Sequence, residues 1–365
     1  MRLFLYVAAS VFAVLQTEGK TSPAAFPVTN RFLKARYSQK VRSMPPMRGV
    51  MLPQRDCTEK DFITLRDWGV KLCRYQMTRN WGRHNTDRDL AEYDSWVSGR
   101  LDHLEIVLEL AKKHEMKIVV DLHTPPGGRR ADGVMNMFYE QEYADHFVSL
   151  WNTIARRFGN RDEIFGFDLI NEPCQLENAP FDYWNLQRRA AEEIRAIDPC
   201  TPIIMEANNW DSPDAYSYMS PIDVYNVIYQ VHVYCPGEFT HQGTSGKFRC
   251  LPNEWPGSSP SGKKWDVHYL RRKLEPVLSF QKRHGARIYV GEFSAIAWAK
   301  GAENYLRDCI SLFEEYGWDW SYHAFREWDG WSVEHEGGSA KEIRRVGDTS
   351  RKAALLEGLQ MRNAK

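Results

Sequence analysis

Beyond Pro45 the chain alternates short runs of β-type residues with amphipathic segments of helical period, and the alternation repeats eight times. MRGVML from Met47 opens the series. The helix after it has Thr58 as N-cap, with Asp61 at the capping-box position. VKLCRYQM from Val70 reads as the second strand, and the helix from about Leu101 to His114 lines up Leu101, Leu104, Val107, Leu108 and Ala111 on one face. KIVVDLH from Lys117 is the third strand, its continuous apolar centre suiting burial on both faces. A helix near 140–158 precedes strand four, IFGFDLI, and one over 183–197 precedes strand five, PIIMEA. Strand six, NVIYQVHVY from Asn226, follows a poorly helical crossover containing Pro213 and Pro221. Helices over 267–284 and 302–316 lead to ARIYVGEF and WDWSYHAF, and a last helix runs from Arg351 to Leu359.

This pattern predicts α/β architecture with a parallel sheet, and eight units over residues 45–365 predict a single (β/α)8 TIM barrel. The competing open, doubly wound sheet needs a Gly-rich turn after its first strand to hold a dinucleotide, and none is present. No cofactor is expected.

Residues 1–20 carry one Arg, an apolar run from Leu3 to Leu15 and then polar residues, as a secretory signal peptide does. The run is shorter than the roughly 20 apolar residues of a membrane span. No clean small-x-small site precedes Gln16, so a non-cleaved anchor stays open beside export to the medium, periplasm or cell surface. Residues 21–44 read as a linker or extension. Seven cysteines leave at least one thiol unpaired. Cys235 and Cys250 flank a non-periodic, Gly-containing loop that a bridge would pin, or both are thiols; Cys57 and Cys73 read as structural.

Lys plus Arg equal Asp plus Glu at 48 each, so the chain has no net field for nucleic acid or an anionic membrane surface. Its 13 Trp, 17 Tyr and 17 Phe suit stacking against sugar rings as well as core packing.

A barrel does its chemistry at the C-terminal ends of its strands. Arg74, His123, Asn171, Glu172, His232, Tyr234, Glu292 and Trp328 stand at or just past such ends. FDLINEP and YVGEF read as the only places where a Glu directly terminates an apolar strand, which makes Glu172 and Glu292 a candidate carboxyl pair. Acetal hydrolysis with retention needs an acid for the leaving oxygen and a carboxylate nucleophile about 5 Å away. His123 and His232 lack a second His or Cys at ligand spacing, so no metal is expected. Trp81, Trp210 and Trp298 are candidate outer platforms for sugars. Arg129, Arg130 and Asn136 lie on a Gly-rich stretch that reads as a surface loop.

The FDLINEP segment, the later GEF, the Arg after strand two, the DLH after strand three and the HVY after strand six resemble glycoside hydrolase family 5 of clan A, from about Met47 to Leu359. The resemblance implies Glu172 as acid/base and Glu292 as nucleophile. It also implies Asn171 bound to the sugar 2-OH, Arg74 and Tyr234 on the nucleophile, His123 and His232 lining the site, and Trp328 as the platform of the sugar at subsite −1. HAFREWDGWS departs from the family pattern by carrying Arg326 and Glu327 before Trp328, which leaves Trp328 and Trp331 as rival platforms. The implied activity is hydrolysis of a β-glycan, β-1,4-glucan first, with mannan, xyloglucan and exo-acting glucosidase action as alternatives. A sugar-binding barrel without turnover is the reading of a different class.

Overall fold

A computed structural model describes residues 43–244, 253–259 and 261–361. Residues 1–42, which include the predicted signal peptide, and Cys250, half of the candidate bridge, lie outside the described residues.

Eight parallel strands close into a barrel: β1 (Arg48–Met51), β2 (Leu72–Gln76), β3 (Lys117–Asp121), β4 (Ile164–Asp168), β5 (Ile203–Glu206), β6 (Val227–Val233), β7 (Arg287–Phe293) and β8 (Asp319–Tyr322). β8 pairs with β1 and completes the ring. Among the described residues seven longer helices cover it: α1 (Glu59–Trp68), α2 (Leu90–Lys113), α3 (Gln141–Phe158), α4 (Tyr183–Ile197), α5 (Val267–His284), α6 (Ala302–Tyr316) and α7 (Ser350–Leu359). The crossover after β5 holds only single turns at Asn208–Asp211 and Pro213–Ser217, in keeping with its prolines.

Local chemistry explains most boundaries. Thr58 and Asp61 form the capping box of α1, and Gly69 ends it in the left-handed region. α2 starts at Leu90, well before the predicted Leu101, because Asp89 caps it by accepting from the N–H groups of Ala91 and Glu92. Its first two turns bury only Tyr93 and Val97, too sparse a stripe to read from periodicity.

The barrel interior is layered. Leu72, Val119, Phe165, Ile204, Ile228 and Tyr289 fill an apolar layer near the N-terminal ends, closed by Met44 and Met47. Side chains two residues further along a strand share its face. That step places Arg74, Asp121, Glu206 and Gln230 in the next layer, which is polar, with Gly291 making room beside Gln230; on β4 it is Asp168, three residues past Phe165, that meets Arg74. Cys57 and Cys73 are buried thiols, as expected, and burial pushes Cys57 up to about 12.

Candidate active site

The polar layer is organised around Arg74, which is fully buried. Its Nη1 donates to Glu292 Oε1 at 2.6 Å, its Nε to Asp168 Oδ2 at 2.9 Å, and its Nη2 to Asn171 Oδ1 at 3.0 Å and Glu206 Oε1 at 2.9 Å. Asp121 Oδ1 stands 3.3 Å from the same Nη2. Burial alone would lower the guanidinium, but Asp121, Asp168, Glu206 and Glu292 outweigh it and hold Arg74 well above its ordinary value.

The surrounding carboxyls are driven apart. Burial, with Asp168 and Asp211 nearby, holds Glu206 well above the usual carboxylate range, and burial raises Asp168 to about 6. Burial would raise Glu292 too, yet His232, His323 and Arg74 outweigh it and hold it well below that range. The nearest carboxyls behind Arg74 thus keep protons more readily than the one in front.

Glu292 Oε2 accepts from the Tyr234 hydroxyl at 2.9 Å. Glu172 follows β4 in the left-handed region, at φ 51°. Its N–H donates to Glu206 Oε2 at 2.6 Å, its carbonyl accepts from Arg129, and its Oε1 lies 3.1 Å from His232 Nδ1. Gln230 Nε2 lies 3.1 Å from His232 Nε2, so an amide N–H donates there and leaves the imidazole proton on Nδ1, toward Glu172. Gly291 permits this packing, since a Cβ there would stand 2.4–2.8 Å from the Gln230 amide. An oxygen of Glu172, a nitrogen of His232 and an oxygen of Glu292 lie within 4.8 Å of one another.

These groups open onto a cavity of about 950 Å³ at the C-terminal ends of the strands, lined by His123, Glu172, His232, Tyr234, Glu292, His323 and Glu327. Trp81, Trp210 and Trp328 line it with 51%, 38% and 42% of their surface exposed. Trp331 also lines it but is 9% exposed, packed against Tyr234, His241 and His323. Trp298 stands outside the lining: it donates to Gln242 O and meets Trp328 edge to face. His123 is held by Asp121 Oδ2 at 2.8 Å, beside Trp81.

Three expectations are corrected. Glu206 also ends an apolar strand and is fully buried, so Glu172 and Glu292 are not alone. Arg129 is no surface-loop residue: its guanidinium lies over the rings of Trp81 and Trp210 and donates to the carbonyls of Gly133, Asn171 and Glu172. Asn136 is buried and donates to Gly127 O. Periodicity of two could have found part of what was missed, since Asp121 precedes His123 and Gln230 precedes His232 by one strand repeat.

The chain matches the model described as Cellulase (glycosyl hydrolase family 5) over residues 36–329. It belongs to glycosyl hydrolase family 5. Among its relatives, Endoglucanase C of Acetivibrio thermocellus is 28% identical over 294 residues, covering 73% of this chain and 83% of that protein. Cellodextrinase A of Ruminococcus flavefaciens is 27% identical over 244 residues, covering 65% and 68%. A mutant form of Thermotoga maritima Cel5A in complex with cellobiose superposes with a TM-score of 0.65 at 21% identity, covering 88% of this chain and 97% of that one. The protein is a glycoside hydrolase built on a TIM barrel.

In this family 5 chain His323 carries a charge with a measurable consequence. Burial would lower it, but Glu292 and Glu327 raise it from the ordinary 6.5 to about 9. The folded value exceeds the unfolded one, so the contribution to stability is complete below about pH 6.5 and is lost as pH rises to about 9. Urea unfolding across that window is expected to lose on the order of 3 kcal/mol, and His323→Gln to lose less. Parallel slopes for the two proteins would contradict the assignment.

Proposed function

We propose that this hydrolase cleaves β-linked glucan internally, β-1,4-glucan first, by double displacement. Glu292 attacks the anomeric carbon while Glu172 gives its proton to the departing oxygen. Glu172 then takes a proton from water, which attacks the same carbon and releases Glu292. The approach of one oxygen of Glu172 to one of Glu292 within 4.8 Å carries this reading. A nucleophile needs such closeness, whereas inversion through an inserted water needs about 6.5–9.5 Å.

The remaining roles follow from contacts. Arg74 and Tyr234 bind both oxygens of Glu292 and keep it a carboxylate. Asn171 Nδ2 is buried without a protein partner and donates to the sugar 2-OH. His123 and His232 shape the floor around the reacting sugar. Trp81, Trp210 and Trp328 offer faces to sugar rings, with Trp298 supporting Trp328. The substrate chain is the partner in this reading, and the Leu3–Leu15 run supports export to reach it. No helix among the described residues is long and apolar enough to cross a membrane.

Product sizing on long β-1,4-gluco-oligosaccharides tests the endo reading: a ladder of intermediate lengths is expected, and release of single sugars from one end alone would refute it. Glu172→Ala is expected to lose about 10²- to 10⁴-fold on the polysaccharide. The first step on dinitrophenyl β-glycosides should stay within about tenfold of wild type, because that leaving group needs little protonation. An equal loss on both substrates would remove Glu172 from the acid role.

A further inference from the structure

The departure in the strand-eight segment places a third carboxylate in the catalytic cavity. Glu327 is held by three donors from three parts of the barrel rim. Gln54, after β1, donates to Oε1 at 3.1 Å; Gln76, the last residue of β2, donates to Oε2 at 2.8 Å; and His323 Nε2, after β8, lies 3.2 Å from Oε2. The loop is pinned from outside. Arg326 adopts φ 49° and its Nε donates to Glu334 Oε2 at 2.6 Å, so the next side chain turns inward.

A carboxylate offers about four acceptor sites. Three are taken, and the fourth lies on Oε1, the oxygen that Gln54 meets at the exposed rim. Burial would raise the Glu327 carboxyl, but His323 and the hydrogen bond from Gln76 hold it below the usual range, so it is an acceptor and not a donor. The other nitrogen of His323 stands 3.6 Å from Glu292 Oε2 and 2.5 Å from the Tyr234 hydroxyl. Glu327 and the nucleophile are therefore separated by one imidazole ring, a span comparable to a pyranose from its anomeric carbon to its far hydroxyls.

We propose that Glu327 is a specificity-determining residue: it accepts a hydrogen bond from a hydroxyl on the far side of the sugar whose anomeric carbon lies at Glu292. A site built to bond a hydroxyl discriminates strongly against the analogue lacking it, because the buried acceptor is then left unpaired. Gln54, Gln76 and His323 position the carboxylate. The inference rests on the function proposed above.

The probes are dinitrophenyl β-glucoside and β-cellobioside, with 2-, 3-, 4- and 6-deoxy versions of the sugar next to the leaving group. For wild type, kcat/KM is expected to fall about 100-fold or more on removal of one of the far hydroxyls. In Glu327→Gln that single penalty should shrink to about tenfold or less, while the 2-deoxy penalty, which reports Asn171 and Glu292, stays unchanged. Glu327→Asp, which keeps the charge beside His323 and withdraws it by one methylene, should shrink the same penalty and provides the test if the amide variant does not fold. A uniform loss on all analogues, as a purely structural ion pair would give, overturns the proposal, as do unchanged penalties. Failure of the wild type to hydrolyse the parent glycosides would instead count against the proposed function.

Discussion

Glu292→Ala is expected to abolish turnover of polysaccharide, with a loss of about 10⁴-fold or more. The residue is the second-last of β7, 4% exposed, with both oxygens engaged by Arg74 and Tyr234 and with His232 Nδ1 at 3.8 Å. The other carboxyls described at the site are held elsewhere, Glu327 by Gln54, Gln76 and His323. Glu172 is committed to the opposite face of the scissile bond in this mechanism, and Glu206 and Asp168 are turned toward Arg74 behind it. Truncation opens room for a small anion between Arg74 and the substrate. Azide should then restore cleavage of a dinitrophenyl β-glycoside and yield the α-glycosyl azide, with inverted configuration. Glu172→Ala under the same conditions should yield the β-azide, because its azide attacks the covalent intermediate on Glu292. Product configuration, read by NMR, thus separates the two roles; a β-azide from Glu292→Ala would exchange them, and residual activity near wild type would sink the nucleophile assignment.

Arg74→Ala is expected to damage stability and catalysis together. Removing one partner of a buried ion pair costs about 3–5 kcal/mol, because the other partner is left charged and dry. Here four carboxyls, Asp121, Asp168, Glu206 and Glu292, face that single guanidinium. Relief comes by protonating them, which raises the value of Glu292 and removes the nucleophile at neutral pH. Arg74→Lys keeps the charge as a single point and cannot span acceptors on four strands, so it should recover part of the stability and little of the rate. The measurements are the urea midpoint and the acid limb of kcat/KM, which should move upward in pH. A variant with the wild-type midpoint and an unmoved acid limb would show that the cluster does not govern Glu292.

The two predictions rest on groups of different legibility. Glu172, Glu292, Arg74, Asn171, His232 and Tyr234 could be chosen from sequence, because each follows an apolar strand run and barrel chemistry is confined to that end. Helix limits such as 183–197 and 267–284 were readable from periodicity for the same local reason. Glu206 lies inside the strand-five run PIIMEA, and its place facing Arg74 follows only once that strand is closed against β4 and β6. Arg129 was hidden in a Gly-rich stretch whose return to the carbonyls of Asn171 and Glu172 crosses more than forty residues of chain. Glu327 looked like an interruption of a Trp-bearing segment, and became a site residue only when Gln54, Gln76 and His323 converged on it.

The order of strands and helices, the closed barrel class and the strand ends where chemistry had to be sought are all legible in the chain alone. These follow from spacing along the chain, which hydrophobic period and capping residues encode locally. Tertiary structure alone decided which carboxyl is driven down and which are driven up, which ring presents a face and which supports it, and where Glu327 points. Those properties depend on the distance between charges and on the exclusion of water, and the partners involved stand far apart in the chain, 218 residues for Arg74 and Glu292 and 273 for Gln54 and Glu327.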